Sequence, residues 1–388
     1  MAEKMTYINP NMLVWAREES GTSLDDAIDK FGTVNITAWE KGDDFPTYSQ
    51  LKDLCNLYRK PVAIFFFPEP PVLKSIVTSC RTLPTNMELL FSRNLVKLLD
   101  EARVMQLNLY ELNDNENKRI HKIRKEEFNC FDIKSVAKKL RDVLNVSLED
   151  QKKVKRYDNA FELWRESFYQ VGIYVFKAAF KDEGISGFCL YDSEFPIIYI
   201  NNSFSLSRQI FTLFHEVYHL LYKTSGLDLF KDPKNANYYN ESDEIIEVNC
   251  NKFAAEFLVP NKDFESNISG KFFSEPLVDK LASHYCVSRE VILRKFLDKD
   301  YITQDDYYDL RDEYLKDYIR FIETKSDDKS SHGNYYNTQM AYLGERYLRL
   351  TFGSYYQKKI SITQLSKYLN MKIPSLKTIA TKKGWGSL

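Results

Sequence analysis

The pentapeptide His215-Glu216-Val217-Tyr218-His219 constrains this chain more than any other stretch. On a helix, residues four apart share a face, so both imidazoles can meet one metal ion. Glu216, beside the first His, then stands where a general base is needed for a water that the metal activates. The whole chain has only five His, so chance rarely places two at this spacing. Around it, Phe211, Leu213, Phe214, Val217, Leu220 and Leu221 fall largely on helical spacing, which predicts a helix packed on its sides. Two imidazoles in so apolar a helix are costly without partners, and a metal is one such partner. Ser205 or Ser207 is the expected cap at its start.

A catalytic zinc takes a third protein ligand and leaves its fourth position to water. Ser225 stands six residues beyond His219, where metzincins carry a third His, so that class is excluded. His121, His284 and His332 have no evident partner in the sequence. A downstream carboxylate is the better choice. Residues 241–260 read as one helix, with an apolar stripe of Ile246, Cys250, Phe253 and Phe257 and a stop at Pro260. Glu247 and Asn251 lie four apart beside that stripe, so Glu247 is a candidate ligand and Asn251 a candidate to orient one by a hydrogen bond. Residue chemistry alone leaves Glu244 open as the alternative, and a solvated acidic helix start complementing the helix dipole accounts for the same acids. Cys250 reads as a small buried hydrophobe that needs no role.

Together, residues 211–219 and 247–260 resemble the ImmA/IrrE family of metallo-endopeptidases. That family shows an Arg-Phe-Thr-Leu-x-His-Glu-x-x-His helix followed by Glu-x-x-Ala-Asn-x-Phe-Ala-Ala-x-Leu-Leu-x-Pro. By position, the resemblance implies His215 and His219 as ligands, Glu216 as general base and Glu247 as third ligand, with zinc as cofactor. Cys250 replaces the usual Ala, and Val259 the usual Met. It further implies a zincin-like core, a small sheet plus the HExxH helix, and a repressor or antitoxin-like regulator as the cleaved partner during stress or mobile-element induction.

At 388 residues, two or three domains are expected, with ample material for a core. The start, Met1-Ala2-Glu3-Lys4-Met5, is polar and unlike a signal peptide. The apolar run 62–67 is too short to span a bilayer. Six scattered Cys without a C-x-x-C pair fit reduced thiols, so a cytoplasmic protein without membrane contact is expected. Segments 172–176, 187–191 and 196–200 read as strands, and 197–200 is the expected edge on which an extended peptide pairs.

Both ends raise the question of nucleic acid. Residues 9–60 read as short helices with a Trp39-Glu40-Lys41-Gly42 end and resemble the XRE/Cro helix-turn-helix, a module many ImmA/IrrE proteins carry ahead of the peptidase. Its reading residues would be Thr33, Asn35 and Thr37. However, residues 1–60 hold seven Lys/Arg against ten acids, and Asp25, Asp26 and Asp29 would repel phosphate. A protein-docking role fits equally. From residue 331 onward, nine Lys/Arg, Lys358 and Lys359 among them, face one acid, with seven Tyr interleaved. That is either a nucleic-acid surface or a basic helical bundle docked on the acidic N-terminal half of the chain.

The expected architecture is α+β and mainly helical. It comprises a helix-turn-helix domain at 1–72, a helical connection at 73–155, a zinc peptidase core at 156–265, a helical region at 266–330 and a basic, Tyr-rich helical domain at 331–388. The leading reading is a zinc endopeptidase acting on a protein. The alternatives are a DNA-binding regulator whose zinc site is a sensor or relic, and a zinc hydrolase of non-peptide amides.

Overall fold

The computed structural model describes residues 4–31, 36–70, 93–124, 126, 128, 132–181, 184–229, 241–327 and 334–386. The chain divides into two compact units, Met1–Glu101 and Ala102–Leu388. It is mainly helical with one small sheet, an α+β arrangement.

In the first unit, helices α1 (Pro10–Glu19), α2 (Leu24–Phe31), α3 (Ile36–Lys41) and α4 (Tyr48–Tyr58) precede a 3-10 turn at Val62–Phe66. They enclose Met12, Leu13, Ala16, Ala27, Trp39, Leu51, Leu54 and Phe65. The start of α4 is fixed by a reciprocal cap: Thr47 Oγ1 accepts from Gln50 N–H, and Gln50 Oε1 accepts from Thr47 N–H at 2.8 Å. Arg17 makes a two-pronged ion pair with Glu40, at 2.6 and 3.1 Å, and Lys4 pairs with Asp44. Both cations are thereby neutralised within the unit.

Helix α5 (Arg93–Leu112) is followed in the second unit by α6 (His121–Arg124), α7 (Ile133–Leu144), α8 (Leu148–Lys153) and α9 (Tyr157–Gln170). Strands β1 (Tyr174–Ala178), β2 (Ile185–Leu190) and β3 (Ile197–Asn201) come next, then α10 (Leu206–Leu221), β4 (Gly226–Leu229) and α11 (Glu241–Leu258). The remaining helices are α12 (Asn261–Ile268), α13 (Glu275–Tyr285), α14 (Arg289–Leu297), α15 (Gln304–Asp327), α16 (Tyr335–Leu343), α17 (Glu345–Tyr356), α18 (Ile362–Tyr368) and α19 (Ile373–Lys383). No described helix is long and apolar enough to cross a membrane.

The sheet runs β1-β3-β2-β4, with β1 parallel to β3 and the other pairs antiparallel. This corrects one expectation. Residues 197–200 lie inside the sheet, paired on both sides, and the terminal strands are β1 and β4. Ile197, Ile198 and Ile200 are fully buried, and a continuous apolar run of this kind belongs to a strand covered on both faces. The short strand β4 is an element that the sequence reading did not contain.

The carboxy-terminal helices pack on this core. Arg165 of α9 donates to the carbonyls of Ala341 and Tyr342, each at 2.8 Å, and Tyr347 sets its ring edge-on to Phe176 of β1. Tyr347 and Tyr368 are therefore core residues and unavailable to stack on bases. Arg346 pairs with Glu166 at 2.5 Å, Lys359 approaches Asp114 at 3.6 Å, and Lys383 pairs with Glu345. Part of the basic tail is spent on acids of this same unit.

One buried cation reports on the fold directly. Lys177 of β1 is 8% exposed, and its Nζ lies 3.5 Å from the Phe161 ring centroid. Burial, aided by the neighbouring Arg165 charge, pulls its pKa down to about 7. Because the folded value lies below the unfolded one, the penalty is full below pH 7 and eases as pH rises toward 10.5. Lys177→Met should stabilise the protein more at about pH 6 than at about pH 9, by about 2 kcal/mol in chemical denaturation. An equal effect at the two pH values would contradict this account.

Candidate metal centre

Helix α10 starts where Ser205 Oγ accepts from the Arg208 N–H at 3.3 Å. It lies flat on the sheet because β2 offers no side chain at Gly187, where a Cβ would stand 2.5 Å from Thr212 Cγ2. Its other side meets α9 and α11 through aromatic rings. Phe214 stacks on Phe257 at 4.2 Å and receives Trp164 edge-on at 5.0 Å. The far end of α11 is tied down by polar contacts. Gln151, buried in α8, donates from Nε2 to the carbonyls of Leu258 and Tyr285, both at 2.9 Å. Arg141 Nη2 donates to the Phe257 carbonyl at 2.6 Å. These contacts set the register of α11, so that Glu247, about three turns earlier, faces α10.

Four side chains converge there. His215 Nε2 and His219 Nε2 are 3.3 Å apart. Glu247 Oε2 lies 3.1 Å from His215 Nε2, and Oε1 lies 3.4 Å from His219 Nε2. Cys250 Sγ is 3.4 Å from His219 Nε2. None of these four, nor Glu216, is more than 3% exposed. Behind the cluster, Asn251 Oδ1 sits 3.1 Å from His215 Nδ1. With the amide oxygen as acceptor, the proton resides on Nδ1, and Nε2 turns its lone pair to the cluster. Burial acts to raise the Glu247 carboxyl, but imidazoles that carry protons toward it outweigh burial through hydrogen bonds and charge and hold it well below the usual carboxylate range; a bound cation would take the place of those protons.

The donor set suits a divalent cation. Two imidazole nitrogens, a carboxylate and a sulfur are ligands that zinc accepts. Bonds of about 2.0–2.1 Å in a tetrahedron place donors about 3.3 Å apart, the spacing found among these nitrogens and oxygens. Lone pairs this close in a dry interior repel one another unless a positive charge lies among them. His215, His219 and Cys250 keep their donor atoms within 4.8 Å of one another.

The other sequence-derived positions lie elsewhere. The Glu244 side chain, Thr33, Asn35 and His332 fall outside the described residues, and Thr37 is exposed on α3. Lys358 and Lys359 are exposed after α17. Tyr218, within the HExxH pentapeptide, is fully buried against the rings of Phe253 and Tyr222. His284 sits on α13 with its ring against Tyr285. Two features of the centre were missed. Cys250 follows Glu247 by three residues on one helix, a spacing that puts both on one face and was the available signal. Gly226 carries no signal in its local sequence.

The buried HExxH helix and the carboxylate helix thus meet at one cluster of donors. Residues 169–297 match the IrrE N-terminal-like domain of the Peptidase_M78 family, a span running from the end of α9 to the end of α14. The match supports the ImmA/IrrE resemblance for that segment and does not extend to residues 1–168 or 298–388. A search of curated proteins found no match to the chain.

At Gly226, the first residue of β4, a Cβ would stand 2.5 Å from His219 Cδ2 and 2.9 Å from its Nε2. Gly226→Ala should therefore push the imidazole out of line and weaken metal affinity by about tenfold or more, read by competition with a chelator. Unchanged affinity would show that the ring does not depend on this contact.

Proposed function

We propose that residues 169–297 form a zinc-dependent endopeptidase, with His215, His219 and Glu247 holding the cation and Glu216 as general base. The observation that carries this reading is the meeting of two imidazole nitrogens and both Glu247 oxygens at 3.1–3.4 Å in a fully enclosed setting. Bound zinc supplies Lewis acidity, polarising a carbonyl oxygen and lowering the pKa of water. Glu216 accepts a proton from the attacking water and passes it to the leaving amine. Asn251 keeps the His215 ring oriented, and Glu247 adds the negative charge that favours a cation over a proton at the same place.

The sheet edge supports a position for the substrate. β4 is a terminal strand, and its Gly226 backbone lies against His219. An extended peptide pairing with the outer edge of β4 would pass the metal ligands. The proposed substrate is a cytoplasmic transcriptional repressor or antitoxin-like regulator, cleaved in stress or mobile-element induction. The support for that class is the resemblance carried by residues 211–219, 247–260 and the amino-terminal helices. The competing reading, a DNA-binding regulator whose zinc site is a sensor or relic, draws less support. Tyr347 and Tyr368 are buried, and Arg346, Lys359 and Lys383 face acids.

Glu216→Gln keeps the size of the side chain and removes the base. Incubated with candidate repressors, wild type should release fragments with a defined new amino terminus, and the variant should do so about 10²–10⁴-fold more slowly. Equal rates in the two proteins would remove Glu216 from the chemistry. No cleavage by zinc-loaded wild type would overturn the substrate class.

A further inference from the structure

The carboxy-terminal helices carry more positive charge than their own unit absorbs. From Arg346 to the last residue there are nine Lys/Arg and no acid, in a chain whose formal net charge is −1. Arg346, Arg349, Lys359 and Lys383 pair with carboxylates. Lys358, Lys367, Lys372 and Lys377 are exposed and make no ion pair among the described residues. These four lie on or beside a helix pair with a well-defined turn. A reciprocal cap between Ser361 and Gln364 starts α18. Residues 369–372 join it to α19, and Ser366 Oγ closes that turn by donating to the Met371 carbonyl at 2.5 Å. Leu365, Leu369, Leu376 and Ile379 are buried. Helical spacing then leaves Thr363 and Lys367 on the outer side of α18, and Pro374, Lys377, Thr378 and Thr381 on the outer side of α19.

We propose that α18 and α19 bind duplex DNA, with α19 in the major groove and Lys358, Lys367, Lys372 and Lys377 meeting phosphates. The inference stands apart from the metal centre. Charge complementarity carries it, because a duplex brings one negative charge per about 1.7 Å of axis to a surface with cations and no acid. Two short helices joined by a turn of about four residues are a shape that B-form DNA accepts. The deep, narrow major groove of an RNA duplex does not admit a helix in this way. Single strands are disfavoured because they need exposed rings to stack on, whereas Tyr368 is buried and Trp385 packs on Phe352 at 5.1 Å. The outer side of α19 holds no Arg, Asn or Gln, three of the side chains that engage base edges in pairs. Phosphate contacts therefore dominate, and binding depends little on sequence. Joined to the peptidase reading, such a module would bring the enzyme to repressors that are themselves on DNA.

The test is fluorescence anisotropy of a labelled, mixed-sequence DNA duplex titrated with full-length protein at several salt concentrations. Wild type should bind, and log affinity should fall against log salt with a slope of about −3 to −4, as about four phosphate contacts require. A duplex of unrelated sequence should bind with similar affinity. The double variant Lys372→Ala/Lys377→Ala should bind about tenfold more weakly or worse at low salt, with the slope reduced by about two. Both lysines are exposed, so the variant should keep the fold, as circular dichroism can check. Absence of salt-sensitive binding by wild type overturns the proposal. Unchanged affinity and slope in the variant place the DNA contact elsewhere and overturn it as well, and so does tighter binding to a single strand than to the duplex. A loss of thermal stability in the variant, with no duplex binding by wild type, assigns the lysines to the acidic amino-terminal half instead.

Discussion

The peptidase unit is organised around a single electrostatic demand, the enclosure of a carboxylate with two imidazoles away from water. Burial by itself pushes a carboxyl toward its neutral form, and at Glu247 that tendency is outweighed by His215 and His219. Such a cluster costs several kcal/mol in desolvation unless its members satisfy one another or share a cation. The surrounding structure serves to fix their positions. Phe214, Phe257 and Trp164 lock α10 against α11 and α9, and Gln151 and Arg141 anchor the end of α11. On the sheet side, Gly187 and Gly226 remove side chains where α10 must come close.

Two helical periodicities meet at this point. α10 contributes residues four apart, His215 and His219, and α11 contributes residues three and four apart, Glu247, Cys250 and Asn251. One element therefore supplies the nitrogens, and the other supplies the charge, the sulfur and the amide that orients a ring. A shift of either helix by one residue would replace every contact at once. The aromatic packing fixes both helices, and a displacement of about 1 Å would be enough to break up such a cluster. The sheet adds a close neighbour, with β4 starting at Gly226 beside His219.

What the sequence revealed was mostly local. The HExxH spacing, the cap at Ser205 and the α11 stripe all depend on residues within one or two turns. Cys250 was legible in the same way, by its distance from Glu247, but its ordinary behaviour as a buried hydrophobe concealed it. Strand order was not legible. It depends on which strands pair, and the run of buried residues in β3 signalled an interior position only once both its neighbours were known. β4 escaped notice because four residues that include Gly226 and Asp228 carry little β pattern. In the basic tail, composition made the tyrosines look alike. Packing against Phe176 separates Tyr347 from exposed ones such as Tyr335.

The central claim is that the buried cluster exists to hold a cation, and metal content tests it most directly. Elemental mass spectrometry on purified, zinc-reconstituted protein should find about one zinc per chain in wild type and a marked loss in Glu247→Ala, with the variant still folded by circular dichroism. Wild type without zinc after reconstitution, or Glu247→Ala with the same content as wild type, would contradict the account.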